Sequence, residues 1–218
     1  MGKHEKAVEQ HTDALKMYKE IYGYDKPHPN IAMCMLNLGA AWSSLGDRKK
    51  SIECFSQALE QNRELFGKKS NHSRIATCLT HLGQSLCAAG ESEKGLSHLE
   101  EALRINRSRV TSDAEVSGCH ILRALINLGN AAYEMKRYAK SIEYLEEALE
   151  IQKQFARNEA DNSAIAETLK KIANAYKSQG EREKSFLYEK RERDVRSKLK
   201  NKHGTPAKSI IVHRVSRK

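Results

Sequence analysis

Apolar residues between Ile121 and Met135 recur at three- and four-residue steps: Leu122, Leu125, Ile126, Leu128, Ala132 and Tyr133. That is the period of an amphipathic helix. Beyond Lys136 a second such pattern begins, carried by Tyr138, Ile142, Leu145 and Leu149. The break between them is too short to bridge a long gap, so the two helices are expected to be antiparallel neighbours. Small residues sit inside both patterns, at Gly129, Ser141 and Ala148. Glycine inside a helix costs roughly 1 kcal/mol against alanine. The cost is tolerable where a small residue lets two backbones approach. Gly129, Ser141 and Ala148 are therefore expected at the helix crossing, with Leu128, Tyr133 and Leu145 filling the space around it.

The pattern recurs. Aligned on its final Ala-Leu, "NLGNAAYEMKRYAKSIEYLEEAL" matches "LGAAWSSLGDRKKSIECFSQAL" and "LGQSLCAAGESEKGLSHLEEAL". Ala14, Ala58, Ala102 and Ala148 stand 44, 44 and 46 residues apart. Gly39, Gly83 and Gly129 form a second column, continued by Ala173. Gly2, Gly46, Gly90 and Gly180 form a third, with Lys136 in the glycine's place once. Ala7, Ser51, Gly95, Ser141 and Ser185 form a fourth, all small. Self-similarity at such a period signals stacked helix pairs.

These columns resemble the tetratricopeptide repeat: Leu-Gly, a turn glycine, a small residue, a large apolar residue and Ala-Leu. Gly39, Ser51, Phe55 and Ala58 fit the spacing, as do Gly83, Gly95, Leu99 and Ala102, and Gly129, Ser141, Leu145 and Ala148. The fifth unit departs, with Glu189 and Glu192 in the large and alanine columns. The usual period is about 34 residues; this one is longer, and the surplus is expected after the second helix of each pair. "YGYDKPHPNIA" and "FGKKSNHSRIA" are similar to the junctions of kinesin light chain repeats, with His28 and His72 expected to cap or pack them. The resemblance implies an all-α, right-handed superhelical solenoid of antiparallel helix pairs without β-sheet. A half repeat is expected over 2–24, and whole repeats near 30–67, 71–110, 115–157 and 161–199. The helix near 181–199, with its polar face, reads as a C-terminal cap.

Composition adds three points. The net charge is +10, and from Glu189 onward 11 Lys and Arg face three Asp and Glu, so eight of those ten charges lie at the C-terminal end. Residues 201–218 are expected to be a flexible basic tail. No apolar run reaches the ~18 residues of a membrane span. Five cysteines lie within helical patterns without a C-x-x-C pair, and Cys34 and Cys78 share a repeat position. That points to packing and to a reducing, cytoplasmic setting.

The sequence holds no phosphate loop, dinucleotide fingerprint or zinc-helix motif. No catalytic residue, cofactor or metal ligand is assigned, and the chain is not expected to be an enzyme. In arrays of the family it resembles, the first helix of each pair lines an inner groove. The residues flanking Leu-Gly would line it here: Asn37, His81, Gln84, Asn127, Asn130, Lys171 and Asn174, with Arg123 one turn earlier. Asparagine offers a donor and an acceptor, which suits an extended peptide. By the resemblance, Asn37 and Asn127 match asparagines that grip a ligand's main chain. Arg123, Lys170, Lys171 and Lys177 would favour an acidic ligand.

The expected function is thus a non-catalytic scaffold holding a protein or peptide, acidic in part, in its concave groove. The alternatives are RNA binding through the repeats and basic tail, and self-association through the N-terminal helix. Nucleic acid is the less expected partner, since the repeats are nearly neutral and Tyr133 is the one clear aromatic of the groove.

Overall fold

A computed structural model describes residues 2–24, 26–109 and 114–203. The described residues form helices and connecting turns, with no strand among them. The helices are α1 (Gly2–Tyr22), α2 (Pro29–Leu45), α3 (Arg48–Phe66), α4 (Ser73–Ala88), α5 (Ser92–Ser108), α6 (Ala114–Glu134), α7 (Tyr138–Phe155), α8 (Glu159–Gln179) and α9 (Arg182–His203). Each packs mainly against its neighbours in sequence, and α2 also touches α4, as α4 touches α6. The even-numbered helices therefore form the inner layer of a right-handed superhelical solenoid. The odd-numbered helices form the outer layer.

The helix crossings are as tight as the small columns require. A Cβ added at Gly129 would lie 2.6 Å from Leu145 Cγ, and one at Gly83 2.8 Å from the Gly95 carbonyl oxygen. Ser141 donates its hydroxyl to the Gly129 carbonyl at 2.7 Å, and the Ser51 and Ser85 hydroxyls lie 3.0 Å apart. Ala58, Ala102 and Ala148 are fully buried. Leu128 and Leu145 fill the space beside Gly129, both sealed from solvent. Cys34 and Cys78 are buried as well, and burial pushes the Cys78 thiol up to about 12. An uncharged, enclosed thiol is a packing group.

Tight turns join the two helices of each pair. In four of them the amide of the turn residue bonds three residues back and the next amide five back. Gly46 to Ser43 and Asp47 to Trp42 is one instance, and Lys136 to Tyr133 and Arg137 to Ala132 another. This is a left-handed C-terminal cap. Gly46, Gly90 and Gly180 have φ between 83° and 92°, and Lys136 adopts φ 59° in the same column. A side chain in that conformation costs about 1–2 kcal/mol.

The first two junctions between pairs share a stacked lid. His28 accepts the Asn30 amide at its Nδ1 (3.2 Å) and lies 3.5 Å from the Tyr22 ring. His72 does the same for Arg74 (3.2 Å), stacked 3.6 Å from Phe66. The later junctions are built differently. Gly118 and Asn162 occupy the histidine column, both inside a helix, and α6 and α8 begin at Ala114 and Glu159. The surplus length there extends the first helix of the pair as well.

Cross-repeat contacts tie the outer helices together. Arg63 reaches both carboxylate oxygens of Glu101 at 3.2 and 3.1 Å. Arg107 reaches Glu147 in the same columns at 2.7 and 2.6 Å. The ladder stops at the next step, where those columns hold Lys153 and Arg191. There Glu146 of α7 accepts the hydroxyls of Tyr176 on α8 (3.1 Å) and Tyr188 on α9 (2.6 Å), so three helices meet at one carboxylate. The opposite end is looser: α1 has no fully buried residue, and Met17 and Ile21 are exposed. The proposed tail overlaps α9 up to His203; residues 204–218 lie outside the described residues.

Replacing Lys136 with glycine is expected to raise unfolding stability by about 1 kcal/mol, because glycine adopts left-handed φ without penalty. Denaturant titration checks this. A second expectation concerns pH. Burial, then Arg109 and Arg74, hold the His72 imidazole below its ordinary 6.5. Burial also lowers His81 and His98. Above pH 6.5 both folded and unfolded states hold these groups neutral. Below it the unfolded chain takes up protons that the folded chain resists, so stability is lost as pH falls from 6.5 toward the lower folded values. The melting temperature should drop between pH 7.5 and 5, and His72→Asn, which keeps a helix-capping side chain, should shrink the drop.

Candidate functional site

The inner wall carries four hollows, one per pair of helices. The first three lie between successive inner helices and are floored by the small and large columns of an outer helix, while the fourth is bounded by α8 and α9 alone. The first, about 450 Å³, is floored by Ser51 and Phe55, with His81 and Gln84 on its rim. The second, about 430 Å³, is floored by Leu99 and rimmed by Gln84, Asn127, Asn130 and Glu134. The third, about 210 Å³, is floored by Gly129, Ser141 and Leu145 and rimmed by Asn130, Tyr133, Lys171 and Asn174. The fourth, about 460 Å³, is bounded by Lys177, Arg182, Ser185, Phe186 and Glu189. Gln84 is shared by the first and second, Asn130 by the second and third, so these three adjoin along the wall.

The hollows follow from local sequence. A small residue on the outer helix brings the paired inner helix close. It also leaves no side chain to reach up between that helix and the next. The residue before Leu-Gly on one inner helix (His81, Asn127, Lys171) then faces the residue after Leu-Gly on the preceding one (Ala40, Gln84, Asn130). Asn37 is exposed and lines none of the four. No inner helix precedes α2 among the described residues. Arg123 is also exposed and lines none of them. Its charge acts on His81, whose imidazole burial and Arg123 together hold below its usual value. His81 lies flat against Phe55, ring centres 5.2 Å apart, and presents a neutral imidazole at pH 7.

Hydrogen bonding across the wall is incomplete. Gln84 Nε2 donates to Asn127 Oδ1 at 2.9 Å, linking two repeats. Asn127 Nδ2 is shielded from solvent and has no acceptor among the described residues. Asn130 and Asn174 are exposed on hollow rims. The basic character expected of the C-terminal half is partly offset. Lys171 lies 4.0 Å from Glu167, and Glu134 lines two hollows. Glu134, Arg182, Phe186 and Glu189 were not among the expected wall residues. Arg182, Phe186 and Glu189 come from an outer helix, and the small residue at position 185 was the signal for them. No cluster of metal-binding side chains occurs among the described residues, and no helix there is long and apolar enough to cross a membrane.

The tetratricopeptide repeat family pattern matches residues 1–64, 32–108 and 120–198. No curated protein sequence matches the chain. Among solved structures, BtubC (BKLC) from P. vanneervenii superposes with a TM-score of 0.80 at 20% identity, covering 100% of this chain and 82% of that one. The kinesin-light-chain-type, nearly identical TPR-like repeats from Podospora anserina give 0.73 at 19%, covering 91% and 89%. A Rap protein complexed with Competence and Sporulation Factor gives 0.63 at 18%, covering 92% of this chain and 52% of that one. At these identities the likeness is one of fold. The matched pattern spans most of the sequence: the chain belongs to the tetratricopeptide repeat family.

Proposed function

We propose that this chain is a non-catalytic scaffold whose inner wall holds an extended peptide segment of a protein partner. The observation that carries this reading is the row of hollows, in register with the repeats and rimmed by side-chain amides. An extended strand advances about 3.3 Å per residue and alternates its side chains. Such a strand can seat side chains in successive hollows while its main chain faces Gln84, Asn127, Asn130 and Asn174. Asn127 supports the reading further. A buried donor without an acceptor costs roughly 1–3 kcal/mol, and a small turn of the Gln84–Asn127 pair toward a peptide carbonyl would recover it. The Rap protein, similar in fold, is seen in complex with Competence and Sporulation Factor. The five free cysteines suit a reducing compartment such as the cytoplasm.

The test starts from peptides selected by the full chain out of a randomised twelve-residue library. Gln84→Ala with Asn127→Ala should weaken the selected peptides at least tenfold in fluorescence polarisation, with the helical circular dichroism unchanged. Unaltered affinity in that variant, or selection of no peptide at all, would remove the groove from the account.

A further inference from the structure

A fifth hollow lies off the inner wall, at the end of the α6–α7 pair where α8 begins. It holds about 370 Å³ and is lined from all three helices and from Arg157 and Asn158 of the junction between α7 and α8. We propose that it binds a small, neutral, flat aromatic molecule carrying one N–H or O–H donor. This stands apart from the groove reading, since the hollow shares no lining residue with the four on the inner wall.

The sequence creates the space. In the first two pairs the histidine column meets the end of the outer helix. The His28 amide donates to Gln61 Oε1 of α3 at 3.3 Å. Arg109, just past α5, donates to the Asn71 carbonyl beside His72 at 3.3 Å. In the third pair the columns of Gln61 and Arg109 hold Ile151 and Phe155, and both line the hollow. The histidine column holds Gly118, so no imidazole enters. Phe155 leans over Gly118 instead: a Cβ added there would lie 2.7 Å from Phe155 Cε2. Two stacked rings fill each of the first two seams. This end of the third pair has the Phe155 ring, with open space beside it.

One buried polar group gives the hollow direction. Gln152 is 8% exposed, and its Oε1 is shielded from solvent with no donor among the described residues. Its column holds Asn62 and Asn106 in the earlier pairs. Asn106 bridges to the next inner helix, its Nδ2 donating to the His120 carbonyl at 3.4 Å. The matching carbonyl on α8 is that of Ala164, and the Thr168 hydroxyl donates to it at 3.1 Å. Asn62 Oδ1 is unpaired as well, but Asn62 lines none of the five hollows. Gln152 lines the fifth. The terminal torsion of a glutamine is soft, so a small turn presents Oε1 to a donor in the hollow and recovers the missing bond.

The rest of the lining sets the ligand's class. Leu122, Ile151 and Phe155 supply apolar wall. Small molecules are held in such settings, with a few polar groups fixing their orientation. A flat ring packs well against Phe155. A cation would meet Arg157, and an anion would set its charge against the Gln152 oxygen. The volume equals that of roughly twelve liquid waters, which is room for a fused two-ring molecule.

Indole is the probe, and 1-methylindole its counterpart without a donor. Cys119 lines the hollow with an exposed thiol, so its alkylation rate, followed by peptide mass spectrometry of the full chain, reports occupancy. Saturating indole should slow alkylation of Cys119 at least fivefold and leave that of Cys54 on α3 unchanged. 1-Methylindole should need at least ten times the concentration. Gln152→Met keeps the shape and removes the acceptor. It should weaken indole at least tenfold and leave 1-methylindole as before, with the helical circular dichroism unaltered. Equal protection by the two probes, or no protection by indole up to its solubility limit, would overturn the inference. So would a Gln152→Met chain that still prefers indole. Peptides from the twelve-residue library that protect Cys119 and are displaced by indole would assign the hollow to a protein side chain and overturn the small-molecule class.

Discussion

The approach of two helix backbones at Gly129, Gly83 and their equivalents governs the rest of the structure. With a Cβ at Gly129 the Leu145 side chain would have no room, and the helix pair would have to separate. Separation would remove the Ser141 bond to the Gly129 carbonyl and expose the Leu128–Leu145 seam. In a solenoid each layer meets only its neighbours, so a wider spacing in one pair tilts every layer after it. The same constraint makes the proposed binding surface. The side chains kept small at the crossing are those that leave space on the inner wall. Tight packing in the outer layer and open hollows in the inner one are two results of one column of residues.

The junctions show how one side chain decides where a helix starts. His28 and His72 fill the seam between pairs, cap the next helix and stack on the ring that ends the previous one. Where Gly118 and Asn162 replace them, the helix starts four or five residues earlier. The array closes by a different device at α9. The arginine–glutamate ladder of the outer helices ends where Lys153 meets the Arg191 column. Glu146 takes over by accepting two tyrosine hydroxyls, and burial, then Glu146 itself, raise the Tyr176 and Tyr188 phenols above their ordinary value. A carboxylate held by two neutral donors keeps its negative charge, which partly offsets an end rich in cations.

The helix pairs were legible because each leaves a periodic trace in the sequence. Small residues at 44- and 46-residue intervals reveal a crossing without knowledge of what crosses. The wall was less legible. A hollow needs a residue from each of two inner helices and a floor from an outer one, and sequence shows these separately. Asn37 illustrates the gap: it has the right column and residue type, but no inner helix stands before it among the described residues. Arg123 sits one turn away from the rim, where its charge tunes His81 instead of facing a hollow. Arg182 and Phe186 escaped notice because the wall was read from inner helices alone.

The placement of charge separates two tasks that binding requires. Eight of the ten net positive charges lie from Glu189 onward, while the first three hollows are lined by amides, one imidazole, Arg48, and Lys171 offset by Glu134 and Glu167. At physiological salt an exposed charge is screened beyond about 8 Å. A charge farther than that from the wall therefore adds little to a peptide seated, on the proposed reading, between His81 and Asn174. Its effect falls on the rate at which an oppositely charged partner arrives. Discrimination among arriving partners then falls to groups with direction as well as charge: amides that must be paired, and hollows of 210 to 460 Å³ that must be filled. A scaffold built this way loses encounter rate as salt rises. It keeps its preference among sequences, because that preference is set by short-range contacts which screening leaves intact.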